Sequence, residues 1–306
     1  MKYVVSGYIG FDNFGDEAIA SVLSEKLKSA GAGKITLISS NPQKTSEQYG
    51  VNSCGMLNFL PALIKSDILI SGGGSLLQDV TSLKSLIYYL TVIFCALILR
   101  KKVQIYAQGI GPINSKIGQF LTKHLLRHVN EISVRDIKSK ELLSGWEIPS
   151  ILVKDPIFEL EIQKKNKTGT VGIQLREFEG VNDLFLDKLA KEIAKRFSEK
   201  NIKLISLQDS VDKGVCEKFA QKLKLMDLVE VEILNNLTVK NVIDEISGLE
   251  YLIAMRFHAN VVGIKSGVKT LAINYDPKVE KLAKEYDLPY INLDDKDFSE
   301  QFDRLF

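Results

Sequence analysis

Histidine and cysteine are scarce in this chain of 306 residues, three of each, and no sign of charge dominates, with 40 Lys and Arg against 38 Asp and Glu. A net charge of +2 argues against a nucleic-acid partner, which calls for a concentrated basic face. The cysteines, Cys54, Cys95 and Cys216, are odd in number, widely spaced and without a CxxC. They support neither a disulfide framework nor a zinc site. They read instead as small buried hydrophobes of a protein in a reducing cytoplasm. Clusters of His, Cys and Asp at metal-ligand spacing are missing as well, so no metal or other cofactor is expected.

Nucleotide signatures are also absent. There is no GxGxxG followed by an acidic residue about 20 positions on, and no GxxxxGK[ST]. The start, "MKYVVSGYIG", is too short an apolar run for a signal peptide and leads straight into the fold. The apolar run "LIYYLTVIFCALIL", Leu86 to Leu99, has 14 residues. That is short of the roughly 20 that span a bilayer. It reads as a buried helix. A sharper reading takes in the adjacent Arg100, Lys101 and Lys102: a peripheral contact with a membrane, which would hold the protein at its inner face.

What the chain does have is alternation. "KYVVSG", "KITLIS", "DILISGGG", "VQIYAQGIG", "EISVRD" and "SILVKDP" read as buried parallel strands. Helical patterns fit between them, over 16–29, 58–65, 83–100, 116–128 and 137–143. The charged "ELEIQKKNKTGT", 159–170, reads as a linker. Alternation then resumes with "TVGIQLR", "IKLISLQ", "LVEVEIL", "YLIAMRFHA" and "VKTLAIN", and with helices over 183–199, 212–222, 239–246, 258–265 and 277–286. Strand–helix alternation implies right-handed crossovers and doubly wound sheets. The expected fold is α/β: two Rossmann-like domains, 1–160 and 170–306, facing across a cleft in the GT-B-like layout. The last helix is a candidate to return to the first domain.

Ligands of such sheets collect beyond the carboxyl ends of the strands, and the unusual residues of this chain lie there. "GYIGFDNFGDEAI", 7–19, follows the first strand and opens a helix with Gly15, Asp16 and Glu17. A helix start favours an anion, but these acids would repel one, so capping by Asp16 is the plain structural alternative. "SGGGSLLQD", with Gly72, Gly73, Gly74 and Asp79, follows the third expected strand, and "AQGIGPI", with Gln108 and Gly109, the fourth. "SVRD" sets Arg135 at the end of the fifth, "QLRE" sets Arg176 at the end of the first strand of the second domain, and "MRFHA" sets Arg256 and His258 after a later one. Arginine suits a two-pronged grip on carboxylate or phosphate.

In that order and at those intervals, "GYIGFDNFGDEAI", "SGGGSLLQD", "AQGIGPI", "SVRD" and "MRFHA" resemble the polysaccharide pyruvyl transferase family, in particular its cell-wall type that serves the anchoring of surface-layer proteins. The resemblance runs from residue 3 to about 290, with Asp12 standing where a glycine or small residue is common. It implies a GT-B-like enzyme that takes pyruvate from phosphoenolpyruvate, a co-substrate rather than a cofactor. Pyruvate would pass as a 4,6-ketal to a sugar of a lipid-linked or polysaccharide acceptor, often N-acetylmannosamine, with release of phosphate. On that footing Arg256, Arg135 and Arg176 would hold the donor, and His258 would act as general acid or phosphate ligand. Asp16, with Glu17 as stand-in, would be the base, and Asn13, Gln108, Asp79 and Glu17 would meet acceptor hydroxyls. Two other readings stand beside it: a GT-B glycosyltransferase using a nucleotide sugar, and a non-catalytic membrane-peripheral glycan-binding protein.

Overall fold

A computed structural model describes residues 1–226 and 230–306. The chain divides into two compact units, Met1–Leu160 and Glu161–Phe306.

The first unit runs β1 (Lys2–Ser6), α1 (Phe14–Ser29), β2 (Lys34–Ser39), α2 (Pro42–Tyr49), β3 (Asn52–Gly55), α3 (Phe59–Ile64), β4 (Ile68–Gly72), α4 (Leu83–Ile98), β5 (Lys102–Gln108), α5 (Lys116–Leu126), β6 (Glu131–Val134), α6 (Ile137–Gly145) and β7 (Ile151–Leu152), closed by a 3-10 turn over Pro156–Glu159. Its seven strands pair in the order β3-β2-β1-β4-β5-β6-β7, all parallel. Successive strand residues face opposite sides, and the two cores divide accordingly. Val5, Leu37 and Ile70 pack with Leu23 and Leu27 of α1 and Tyr49 of α2. Their neighbours Val4, Ile38 and Leu69 pack with Leu63 of α3, Leu90 and Ile93 of α4 and Leu126 of α5. Side-chain caps set the helix starts: Asn13 Oδ1 accepts from Gly15 N on α1, and Ser82 Oγ from Ser85 N on α4.

The second unit runs β8 (Val171–Gln174), α7 (Asp183–Phe197), β9 (Ile202–Ile205), α8 (Asp209–Lys224), β10 (Val231–Leu234), α9 (Val239–Gly248), β11 (Tyr251–Ala254), α10 (Phe257–Lys265), β12 (Lys269–Asn274), α11 (Pro277–Glu285), β13 (Tyr290–Asn292) and α12 (Ser299–Asp303). Its six parallel strands follow the order β10-β9-β8-β11-β12-β13. Of the expected strand "LVEVEIL", Leu228 and Val229 lie outside the described residues. The charged stretch before β8 is tied down at its end. Lys167 Nζ donates to the carbonyls of Ser247 and Ser266, and Thr168 N to that of Gly248.

Three expectations need correction. The strands followed by "SGGG", "AQGIG" and "SVRD" are the fourth, fifth and sixth, because α2 and β3 precede them. Both are nearly devoid of buried apolar residues, so no periodicity announces them. The last helix belongs to the second unit. Phe302 of α12 is buried in the core of the second, and Asp303 pairs with Arg196 of α7. The apolar run becomes α4, of which Leu86, Tyr89, Leu90, Val92, Ile93 and Ala96 are buried while Phe94 and Ile98 are exposed. No helix among the described residues is long and apolar enough to cross a membrane.

Phe219 of α8 is fully enclosed in the second core. Phe219→Ala is expected to lower the unfolding free energy in urea by about 3–5 kcal/mol, through lost transfer energy and the cavity left behind.

Candidate active site

Strand order reverses direction once in each sheet, between β1 and β4 in the first and between β8 and β11 in the second. The crevice beyond the carboxyl ends at such a point is where open parallel sheets bind ligands.

At the first reversal, the loop after β4 lies directly on the start of α1. Gly73 and Gly74 have φ of +63° and +67°, a region costly for other residues. A methyl at Gly74 would sit 2.5 Å from Asp16 Oδ1, and one at Gly73 would run into Ile19. Asp16, in the first turn of α1, is half-buried here. It lines a small, partly open hollow with Gly7, Tyr8, Ile19, Gly72 and Gly73. Burial, and then the Asp16 charge, hold the hydroxyls of Tyr8 and Tyr89 above the ordinary tyrosine range. Tyr8 stacks on Phe11 with ring centres 4.1 Å apart. Aromatic faces beside a carboxylate suit a sugar, which offers a C–H face to the rings and hydroxyls to the acid.

The second reversal has the opposite character. Arg256 stands at the N-cap position of α10, without a capping side-chain hydrogen bond, and His258 in its first turn, with no acid there. The Arg256 side chain is 9% exposed, and Asp212 of α8 is wholly buried beneath it. Nε of Arg256 donates to Asp212 Oδ2 at 2.9 Å and Nη2 to Oδ1 at 2.7 Å, a bidentate pair. Asp212 Oδ2 also accepts from the amides of Leu207 and Gln208 and from Gln174 Nε2. Gln174 Oε1 in turn accepts from Arg256 N at 2.7 Å. Among the described residues, no hydrogen bond uses Arg256 Nη1. Arg176, one turn of chain beyond β8, lies over the Tyr275 ring at 5.4 Å, and its buried Nε has no partner among the described residues.

The sequence profile of the family described as polysaccharide pyruvyl transferase matches residues 13–277. The chain belongs to the polysaccharide pyruvyl transferase family. No curated protein matches it. Among solved structures, this pyruvyl transferase resembles UDP-GlcNAc 2-epimerase from Methanocaldococcus jannaschii, with TM-score 0.63 and 12% identity over 100% of this chain and 91% of that one. It also resembles the UDP-GlcNAc 2-epimerase from Neisseria meningitidis bound to UDP-GlcNAc, with TM-score 0.61 and 12% identity over 100% and 91%. A glycosyltransferase from Rickettsia africae gives TM-score 0.63 and 11% identity over 100% and 88%. At such identities the likeness concerns the fold alone: α/β, two doubly wound Rossmann-like domains, GT-B-like.

Within the pyruvyl transferase, the expected site residues separate into those at the two reversals and those used elsewhere. Asp16, Gly15, Gly72, Gly73 and Gly74 gather at the first, and Arg176, Arg256 and His258 at the second. Four of the expected acceptor contacts are otherwise engaged. Glu17 is buried, accepting from Tyr49 OH at 2.5 Å and Gly10 N at 2.7 Å. Gln108 is wholly buried and donates to Ser71 Oγ. Asp79 accepts from the amides of Asn114 and Ser115, which hold its carboxyl below the usual range. Asn13, rather than Asp16, caps α1. Arg135 belongs to the first unit, where Asp155 takes its Nη1 at 2.5 Å and Ser75 its Nη2 at 3.0 Å. Gly109 gives room for that clasp, since a methyl there would lie 2.6 Å from Ser75 Oγ.

The residue that sequence reasoning missed is Asp212. A signal existed: it falls on the buried stripe of α8 with Val215, Cys216, Phe219 and Leu223, a position no solvated aspartate would take. Cys216 on that stripe has its thiol pushed up to about 12 by burial, which leaves no thiolate for chemistry near neutral pH. Among the described residues no cluster of His, Cys, Asp and Glu could hold a metal ion.

Two outcomes follow from these contacts. Asp212→Ala strands the buried Arg256 charge and is expected to cost about 3–5 kcal/mol in urea unfolding. For Glu17, burial outweighs the hydrogen bonds from Tyr49 and Gly10 and holds the carboxyl above its ordinary value of 4.5. The folded state then binds more protons than the unfolded one, so this group's contribution to stability declines as pH rises from 4.5 through the raised value. Glu17→Gln keeps both contacts in shape and removes that decline. Its stability relative to the parent is expected to improve between about pH 4 and about pH 7.5, read by urea unfolding at each.

Proposed function

We propose that the protein transfers pyruvate from phosphoenolpyruvate to a sugar of a lipid-linked cell-wall glycan intermediate, N-acetylmannosamine in the first instance, as a cyclic ketal with release of phosphate. One observation carries the division of labour. The helix starts at the two reversals carry different side chains, Asp16 and Glu17 in the first turn of α1 against Arg256 and His258 with no acid at the start of α10. An anionic donor is stabilised by the second and repelled by the first, while sugar hydroxyls suit the first.

Phosphoenolpyruvate carries about three negative charges near neutral pH. Asp212 already neutralises Arg256, so Arg256 acts as a fixed hydrogen-bond donor through Nη1 and Arg176 supplies the uncompensated cation. The amides at the start of α10 add to the grip. His258 protonates the methylene carbon, which becomes the methyl group and leaves C2 electrophilic. A sugar hydroxyl attacks C2 and loses its proton to Asp16. The C2–O bond to phosphate then breaks, and the second hydroxyl closes the ring. Of the two hydroxyl protons, one makes good the proton given to the methyl group and the other leaves with phosphate.

The test is incubation with phosphoenolpyruvate and a synthetic N-acetylmannosaminyl diphospholipid, following inorganic phosphate and acid-labile pyruvate on the product. Equal release of both is expected. Turnover with a nucleotide sugar and none with phosphoenolpyruvate would establish a glycosyltransferase instead. His258→Ala is expected to lower kcat by roughly 10²–10⁴-fold. Arg176→Ala should raise KM for phosphoenolpyruvate by roughly 10- to 100-fold, the worth of a charge-assisted hydrogen bond. Glu17→Gln should keep its turnover and Asp16→Asn should lose it.

A further inference from the structure

Three helices on one side of the first sheet, α3, α4 and α5, present an apolar outer surface rich in cations. In α4, residues Lys84, Ile87, Thr91, Phe94 and Ile98 recur at three- and four-residue spacing on the side away from the core. Phe94 is 48% and Ile98 63% exposed, where the buried face of the same helix is below 5%. The neighbouring α5 adds Ile117 at 66% and Phe120 at 69%, and α3 with the residues before it adds Leu57 at 91%, Leu60 and Ile64. All three helices contribute to the same core beneath, so their outer sides share one face of the sheet.

The charge on these three helices is one-sided, while α6, which packs on the same core beside α5, brings Lys138 and Lys140 together with Glu141, and Glu147 follows it. Residues 57–65, 83–102 and 113–128 contain eight Lys and Arg, namely Lys65, Lys84, Arg100, Lys101, Lys102, Lys116, Lys123 and Arg127, and no Asp or Glu. The chain as a whole is balanced at 40 to 38. Lys101 Nζ donates to the carbonyls of Ile64 and Ser66, which ties the end of α3 to the end of α4 and fixes both in one surface. Phe120 stacks with His124, and His124 meets His128 edge-on, so that an aromatic ridge runs along the outside of α5. A cluster of large exposed aliphatic and aromatic groups marks an interaction site, and eight cations without an acid on its three helices favour an anionic partner.

We propose that this three-helix face docks on an anionic lipid bilayer, with Phe94, Ile98, Ile117 and Phe120 entering the interface and the eight cations meeting lipid phosphates. The length and composition of α4 exclude spanning and suit lying in the plane. The surface charge of anionic lipid selects the cationic border, and salt screens that attraction within a Debye length. The face is present whatever reaction the protein catalyses.

Sedimentation with vesicles tests it. The full chain is expected to bind 1:1 phosphatidylglycerol–phosphatidylcholine vesicles at least about tenfold more tightly than pure phosphatidylcholine vesicles, and to release as salt rises. Ile98→Glu with Phe120→Glu should weaken binding to the anionic vesicles by about tenfold or more. Its thermal unfolding and near-ultraviolet circular dichroism should match the parent, since both positions are exposed. Lys84→Glu with Lys123→Glu should abolish the preference for anionic lipid. The proposal falls if neither vesicle binds the protein, if both bind it equally, or if the variants bind like the parent. It also falls if the protein is a dimer in analytical ultracentrifugation and Ile98→Glu with Phe120→Glu dissociates it, for then a second copy occupies the face. None of these readings needs turnover, so failure of the proposed reaction leaves the vesicle result intact.

Discussion

Asp212 receives five hydrogen bonds while wholly removed from water, and the carboxyl edge of the second sheet is arranged around it. A buried carboxylate is tolerable only when its lone pairs are satisfied and a cation is at hand. Both conditions are met by residues from four segments: Gln174 at the end of β8, the amides that precede α8, α8 itself, and Arg256 where β11 gives way to α10. Moving any one of them leaves a charge or a donor unpaired in the core. Arg256 therefore has one orientation, with Nε and Nη2 turned inward. Net charge at this spot is close to zero, which makes Arg256 a rigid donor rather than a mobile counter-ion.

The two sheets share a strand order and place a loop–helix junction at the same topological point, yet the junctions are furnished differently. On the first unit the glycines after β4 make space for Asp16, and the acid next to it, Glu17, turns inward to hold Gly10 and Tyr49. Adjacent acids in one helical turn thus do separate jobs, one anchoring the loop and one facing the hollow. Asp12 sits in that loop at φ +57°, in the left-handed region that favours glycine and that aspartate tolerates better than most residues. Its carboxylate reaches Lys44 on α2, so the departure from a small residue adds a surface ion pair without altering the path of the chain.

Much of this architecture was legible in the amino acids. The central strands are uninterrupted β-branched runs because both faces are buried under helices, and "VVS", "TLIS" and "ILIS" carry that directly. The edges were not legible. Strand β3 is "NSCG" and β13 is only "YIN"; each is paired on one side alone and carries few of the apolar residues that mark a strand. Helix α2 buries little besides Thr45 and Tyr49, so its polar sequence looked like a loop, and the partner of Glu17 was hidden with it. For the site, position at strand ends was readable but direction was not. Nothing in "GDE" or "AQG" tells which side chain turns in, and that choice follows from Tyr49 and Ser71, which lie 32 and 37 residues away in sequence from Glu17 and Gln108.

The layering of the first unit has a geometric consequence. Helices in a parallel α/β sheet run along the strands, so a face made of α3, α4 and α5 resting flat on lipid would keep the strands of the first sheet in the plane of the membrane. The carboxyl edge, with Asp16 and the loop after β4, then opens sideways instead of up or down. One helix layer separates it from the lipid, a height of roughly 10 Å. If both the docking and the lipid-linked acceptor proposed above hold, the acceptor would reach that edge by lateral diffusion, a search in two dimensions rather than three.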